Sequence, residues 1–253
     1  MGIRRAILTF AVVSPAALVL LWNDAPWAGV GIVFLSHMLV LYPTLRPGAQ
    51  WLGPVITHFV TEQREVWLTI DDGPTLNDTA PLLDLLGRHD ARATFFVKGV
   101  LVDQQPELAR DIARRGHTLA NHSHTHPSGT FWCRLPKRLE HEVDECSRAI
   151  ERATGIAPRW FRAPVGMKNP FVHPILERRA MALIGWSARG FDAVLGDPAR
   201  VRDRVLRSVR PGAIILMHQG RPKSLESMEL LLEALRREGY SFTIPDPNVL
   251  RAH

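Results

Sequence analysis

The stretch Asn121-His122-Ser123-His124-Thr125-His126 puts three histidines into five positions. Histidine-dense tracts often bind metal, and neutral imidazole is the commonest side-chain ligand. His122 and His126 lie four apart; His124 alternates with them and is left outside the candidate set. A second polar group, Asp71-Asp72-Gly73-Pro74, follows an apolar run. A turn accounts for Gly73, Pro74 and at most one aspartate. Two adjacent carboxylates behind a buried strand are costly unless cations meet them, and a metal and an arginine would both serve. Two imidazoles and one carboxylate from Asp71 or Asp72 make three ligands with a fourth position open, the make-up of a catalytic zinc site. Such a site suits amide hydrolysis, which needs an activated water, a polarised carbonyl and a proton for the leaving amine.

These groups need elements that carry them to one place. Residues 66–70, 93–97, 117–121, 160–162, 182–186, 213–217 and 241–243 read as short apolar strands. Between them residues 79–89, 107–115, 136–153, 174–179, 198–209 and 224–238 read as helices. Asn77 or Asp78 is a candidate cap for the first helix, and Pro106 opens the second, which Gly116 stops. Leu139, Val143, Cys146 and Ile150 recur at helical spacing before Gly155. Strands alternating with helices imply βαβ units and a parallel sheet. The expected fold is α/β, a distorted (β/α) barrel of about seven parallel strands. Asp71-Asp72, the histidine tract, Arg162 and His218 each follow a strand. In barrel enzymes side chains at those strand ends converge on one mouth.

The N-terminus reads differently. Residues 6–22 carry no charge and follow Arg4-Arg5; residues 27–45 are uncharged and end at Arg46. Each run approaches the roughly 17–25 residues that cross a bilayer. Trp22, Trp27 and Tyr42 stand near the ends, where amphipathic aromatics favour the interface. A secretory signal peptide competes for the first run, but no small-x-small cleavage site follows Trp22 and a second apolar run comes at once. A transmembrane helical hairpin over residues 1–50 is therefore expected, with a catalytic domain over 51–253. Arg4, Arg5 and Arg46 would then share the cytoplasmic side with that domain, at a bacterial inner membrane. If one run alone spans, the domain faces the periplasm.

With 253 residues, 46% hydrophobic and 22% charged, the chain suits one well-packed domain beyond the hairpin. Its net charge of +6 comes from dispersed arginines, with no nucleic-acid-binding motif beside them. A membrane surface is the expected partner of that charge, not nucleic acid. Cys133 and Cys146 read as free thiols.

Five segments resemble, in order, the motifs of the polysaccharide deacetylase family, also called the NodB-homology domain or carbohydrate esterase family 4. They are Thr69-Ile70-Asp71-Asp72-Gly73-Pro74, His122-Ser123-His124-Thr125-His126, Arg162-Ala163-Pro164, Asp192 and Leu216-Met217-His218. The resemblance implies an N-deacetylase of amino sugars that uses a divalent metal, Zn2+ foremost. It implies Asp72, His122 and His126 as metal ligands, Asp71 as general base and His218 as general acid. Arg162 would orient Asp71, and Asp192 would balance Arg162 and tune His218. Leu216 would line the acyl pocket, and the Val165 N–H would help hold the oxyanion. The sequence departs from the family at Val165, where an aromatic or glycine is usual, and at Arg189 and Ala193, where an aspartate and a tryptophan are usual. The lost tryptophan removes part of a groove wall.

Two further residues are candidates for substrate contact. Trp132 follows the histidine tract and would meet sugar or lipid; Lys168 follows the third motif and would meet a phosphate. The expected substrate is an N-acylated sugar in a glycan or glycolipid, with membrane lipid as a second partner. N-formyl in place of N-acetyl, and a non-catalytic glycan-binding relative, remain as alternatives.

Overall fold

The computed structural model describes residues 2–252. Two helices, α1 (Gly2–Leu20) and α2 (Pro26–Leu45), form an antiparallel hairpin. Ser14 and Ser36 share a buried hydrogen bond of 2.6 Å between them. A Cβ at Gly29 would come within 2.8 Å of the Leu18 Cα, so glycine sets the helix spacing there. Both helices are long and apolar enough to cross a bilayer, and only 11% and 22% of their apolar stretches are buried. A core helix of a soluble domain would be mostly covered.

The remainder runs β1 (Ile56–Phe59), β2 (Glu65–Asp71), α3 (Thr79–Arg88), β3 (Ala93–Val97), α4 (Gly99–Gln104), α5 (Pro106–Arg114) and β4 (Thr118–Asn121). There follow α6 (Pro136–Thr154), β5 (Trp160–Phe161), α7 (Val172–Glu177), β6 (Ala182–Leu183), β7 (Ala188–Arg189), α8 (Pro198–Ser208), β8 (Ala213–His218), α9 (Ser224–Arg237), β9 (Ser241–Phe242) and β10 (Leu250–Ala252). Strands β8-β2-β3-β4-β5-β6 form a parallel run. The chain then crosses from β6 back to β8. The Ile184–Ile56 bridge, the Ser187 N–H to Ile214 carbonyl bond and the β7–β8 pairing curl the sheet almost shut.

The α/β fold with a distorted, curled and largely parallel sheet is the expected one, with corrections in detail. Residues 182–186 are not one strand: Gly185 turns inward to donate to the Ile56 carbonyl, and β6 and β7 lie either side of the bend. Two antiparallel strands, β1 and β10, extend the sheet beyond β8. The Asp78 side chain does not cap α3; it accepts from the Gly220 N–H instead.

The period-two alternation of strands explains both layers of core. Val66, Leu68 and Ile70 of β2, with Ala213, Ile215 and Met217 of β8, pack under the outer helices. Trp67, Phe96, Ala120, Trp160 and Ile214 fill the inside of the curl, with Trp67 and Trp160 edge to face at 4.7 Å. Residues 69, 71, 216 and 218 continue that inward set. The same alternation that buries Trp67 therefore delivers Asp71 to the inner rim.

Candidate active site

Register places the first two groups. Asp71 and His218 are the paired last residues of neighbouring strands β2 and β8. On the other flank Asn121 pairs with Phe161, and the Arg162 N–H donates to the Asn121 carbonyl. His122 and Arg162 thus leave the sheet together, one step above that pair. Asp192 arrives on the loop after β7.

Arg162 is fully buried, and each of its three nitrogens donates a hydrogen bond. Nη1 donates to Asp71 Oδ1 at 2.7 Å and to Thr69 Oγ1 at 2.8 Å. Nε and Nη2 reach the carbonyls of Ile184 and Gly185, and the guanidinium lies 4.1 Å from the Phe96 ring centre. Burial pulls the Arg162 pKa down, opposed by the charge and hydrogen bond of Asp71. A buried pair whose cation is held on every nitrogen is an orienting device, and removing one partner typically costs about 3–5 kcal/mol. Asp192 is not among these acceptors. Its expected balancing of Arg162 is corrected: both its oxygens go to His218, Oδ1 to Nδ1 at 2.9 Å and Oδ2 to the backbone N–H at 2.6 Å. Burial alone would lower the His218 pKa, but that bond and the charges of Asp192, Asp71 and Asp72 outweigh it and raise it.

Between these groups sit Asp72, His122 and His126, with ligand atoms all within 4.8 Å of one another. His122 Nδ1 donates to the Arg162 carbonyl at 2.9 Å. A carbonyl only accepts, so Nδ1 carries the proton and Nε2 presents a lone pair, the usual outer-shell arrangement of a ligating histidine. Burial lowers the His122 pKa and pushes His126 down to about 4, which keeps both neutral at pH 7. Burial opposes ionisation of Asp72, yet the Coulombic pull of its neighbours, the Lys98 ammonium among them, holds its carboxyl well below the usual carboxylate range. Asp72 Oδ1 and His126 Nε2 are buried, 3.6 Å apart, and neither has a hydrogen-bond partner. Buried polar atoms that make no hydrogen bond are unfavourable. A divalent cation fits there: one hard oxygen, two imidazoles and a site open to the cleft.

The loop is pinned from behind. Asn121 Oδ1 accepts from the Ser123 N–H, and Ser123 Oγ from the His126 N–H. Buried Glu142 accepts both the N–H and hydroxyl of Thr125. His124 lies against Gly99, where a Cβ would come within 2.5 Å of its Nδ1. Asp72, Ser123, His126, Val165 and Phe191 all hold positive φ, between 49° and 79°. Non-glycine residues in that region cost energy and cluster at functional sites.

The cleft, about 200 Å³, is lined by Asp71, Asp72, His122, His126, Asp192 and His218, and by Val165 and Leu216. Two of the expected contacts lie elsewhere. Lys168 is buried away from the cleft, its Nζ donating to the Arg46 and Pro47 carbonyls just past α2. Those carbonyls have no helical partner and attract a cation; burial pushes Lys168 down to about 8. Trp132 lies against the hairpin, facing another cavity. Several residues in or beside the cleft carry no motif. Arg221 donates to Asp72 Oδ2 at 2.8 Å, and Lys98 Nζ is 3.5 Å from Oδ1. Arg189 lies 3.7 Å from the Phe191 ring centre and 5.6 Å from that of Trp186, so a cation–aromatic wall stands near the position of the missing tryptophan. Lys98 follows β3 and was legible by the strand-end rule; Arg221 gives no such signal.

A curled parallel sheet with this cluster on its C-terminal rim is the arrangement of the carbohydrate deacetylase class. The chain belongs to the polysaccharide deacetylase family. The family model, described as polysaccharide deacetylase, matches residues 60–183. A chitooligosaccharide deacetylase of Bradyrhizobium sp. (strain ANU 289) is 37% identical over 196 residues, 72% of this chain and 89% of that one. A family 4 carbohydrate esterase from Streptomyces lividans, solved with acetate, superposes with a TM-score of 0.68 at 29% identity, covering 75% of this chain and 96% of that one. A CE4 family pseudoenzyme from Bacillus anthracis superposes at 0.66 and 29%, covering 74% and 65%.

Proposed function

We propose that the protein is a metal-dependent N-deacetylase of amino sugars in a glycan or lipid-linked saccharide, with residues 1–50 as membrane anchor and 51–253 as catalytic domain. The observation that carries it is the pair of buried atoms without a hydrogen bond, Asp72 Oδ1 and His126 Nε2, beside His122 in the cleft that Asp71 and His218 also line. Asp72, His122 and His126 would hold a divalent cation, Zn2+ for preference, whose Lewis acidity would polarise the acyl carbonyl and acidify water. Asp71 takes the proton from the attacking water, with Arg162 fixing the carboxylate's orientation. The Val165 N–H donates to the oxyanion, a contact of the kind worth about 3–4 kcal/mol. Leu216 packs on the acyl methyl. His218 Nε2 gives its proton to the departing nitrogen as the C–N bond breaks, leaving acetate and a free amine.

Acetate release from N-acetylated chitooligosaccharide, with and without chelator, tests this. We expect release that a chelator abolishes and added Zn2+ restores. Chelator-insensitive release refutes the metal; bound metal with no release from N-acetyl or N-formyl probes favours a non-catalytic relative. Faster release of formate than acetate identifies a deformylase.

His218 must be protonated to act, so activity falls as pH rises through its raised pKa. Asp192→Asn removes the main support of that rise. The alkaline limb of the kcat/KM profile is expected to move to lower pH, while the acid limb stays. An unmoved alkaline limb separates Asp192 from the acid.

The hairpin supports a cytoplasmic-facing domain at an inner membrane. Arg4 and Arg46 stand at its base, and Arg4 Nε donates to the Pro170 carbonyl of the catalytic domain. A reporter fused to the C-terminus is expected to be active in the cytoplasm; periplasmic activity rejects this topology.

A further inference from the structure

A second cavity, about 480 Å³, runs between the hairpin and the catalytic domain. Its walls include Leu8 and Ala11 of α1, Met38 and Leu41 of α2, and Trp132 and Phe171 of the domain. Nothing in the deacetylase chemistry uses it. The hairpin is not loosely tethered beside it. The Lys168 N–H donates to the Thr44 carbonyl at 2.9 Å, its ammonium holds the two carbonyls beyond α2, and Arg4 grips Pro170. The groove is therefore preformed.

Its depth follows from helix geometry. Ala11 is seven residues beyond Arg4 and Met38 eight before Arg46, so the groove climbs roughly 10–12 Å from the charged base at 1.5 Å per residue. For a hairpin that crosses the bilayer, that is the outer part of one leaflet's hydrocarbon. The domain's own loops reach this level: Leu135 is 70% and Phe171 42% exposed beside the groove. Apolar side chains and a tryptophan at that level suit the interface. The groove is also close to the chemistry. Gly166 lines the cleft and Asn169 lines the groove, and three residues span at most about 11 Å.

We propose that this groove holds the hydrocarbon chain of the substrate, so that the natural substrate is an N-acetylated amino sugar carrying a lipid chain, drawn from the leaflet with its sugar in the cleft. The proposal rests on the deacetylase reading and names its substrate class. Continuity with the lipid-facing hairpin, apolar walls and the short reach to the cleft favour a chain over a peptide or a long glycan.

The full-length protein in lipid nanodiscs provides the test, with methyl and dodecyl glycosides of N-acetylglucosamine as probes. We expect kcat/KM for the dodecyl probe to exceed that for the methyl probe at least tenfold, and Ala11→Trp, which fills the groove with another apolar side chain, to bring the ratio towards one. No preference in the wild type overturns the proposal. So does a preference that survives Ala11→Trp, which would reflect partitioning into the bilayer. A dodecyl glycoside bearing a diazirine reads the site without turnover. Cross-links to Trp132 or Phe171 support the groove, and cross-links confined to the exposed face of the hairpin overturn it. Equal labelling by a diazirine phospholipid that the dodecyl glycoside does not displace makes the occupant a structural lipid and also overturns it. If neither glycoside releases acetate yet the cross-links fall in the groove, the deacetylase reading fails and the chain site stands.

Discussion

Asp71→Asn is expected to lower kcat by about 10²–10⁴, the range that a positioned general base supplies, while the protein keeps its metal. The substitution is nearly isosteric. The amide oxygen can still accept from Arg162 Nη1, which now sits 2.7 Å from Oδ1, so the cleft keeps its shape. What disappears is the proton acceptor and the negative charge. The lost charge also leaves the buried Arg162 guanidinium with neutral acceptors alone: the new amide oxygen, Thr69 and two carbonyls. A stability loss of about 3–5 kcal/mol is the corresponding expectation. Activity must therefore be compared well below the variant's melting temperature. Two measurements separate chemistry from damage: metal content by elemental analysis, which should stay at the wild-type level, and KM, which should move little. A near-normal kcat would remove Asp71 from the role of base. Lost metal would instead make Asp71 part of the ligand set, a reading the 3.5 Å between its Oδ2 and His122 Nε2 leaves within reach.

Much of this geometry is written locally in the chain. The apolar run 93–97 is β3 to the residue, because a five-residue buried strand between a helix end and a helix start admits no other reading. Period two along β2 carries Trp67 and Asp71 inward together, so a reader who sees the buried strand also sees where the aspartate goes. The edge of the sheet was not legible. β1 lies between Pro54 and the polar run at Thr61, and β10 is only three residues long; they pair antiparallel across almost the whole domain, which no local pattern encodes. The cleft shows the same division. Asp71, Asp72, His122, His126, Arg162 and His218 come from strand ends, and strand ends are visible. Lys168 and Trp132 follow motifs closely and still miss the cleft, because the base of the hairpin claims the lysine's donors and the hairpin's flank covers the indole. Arg221 reaches Asp72 from the loop after β8 by tertiary approach alone.

The histidine tract gives the other large effect, and it discriminates within five residues. His122→Ala and His126→Ala are each expected to strip the metal and reduce acetate release to background, whereas His124→Ala should keep both. The three side chains differ in what surrounds them, not in type. His122 is buried, with Nδ1 committed to the Arg162 carbonyl and Nε2 turned to Asp71 and Asp72. His126 carries a buried, partnerless Nε2 on the same cluster. His124 packs its ring against Gly99, outside the residues that line the cleft. Loss of one ligand of three removes a large part of the affinity, because the remaining pair no longer encloses the cation. It also leaves Asp72 in a buried site with Lys98 and Arg221 as its cationic partners. These ion pairs should keep the apo variants folded, so circular dichroism and melting should change less than metal content does. Elemental analysis of the three variants side by side decides the matter. Full metal in His122→Ala, or its loss in His124→Ala, would put the cation on a different set of atoms from Asp72, His122 and His126.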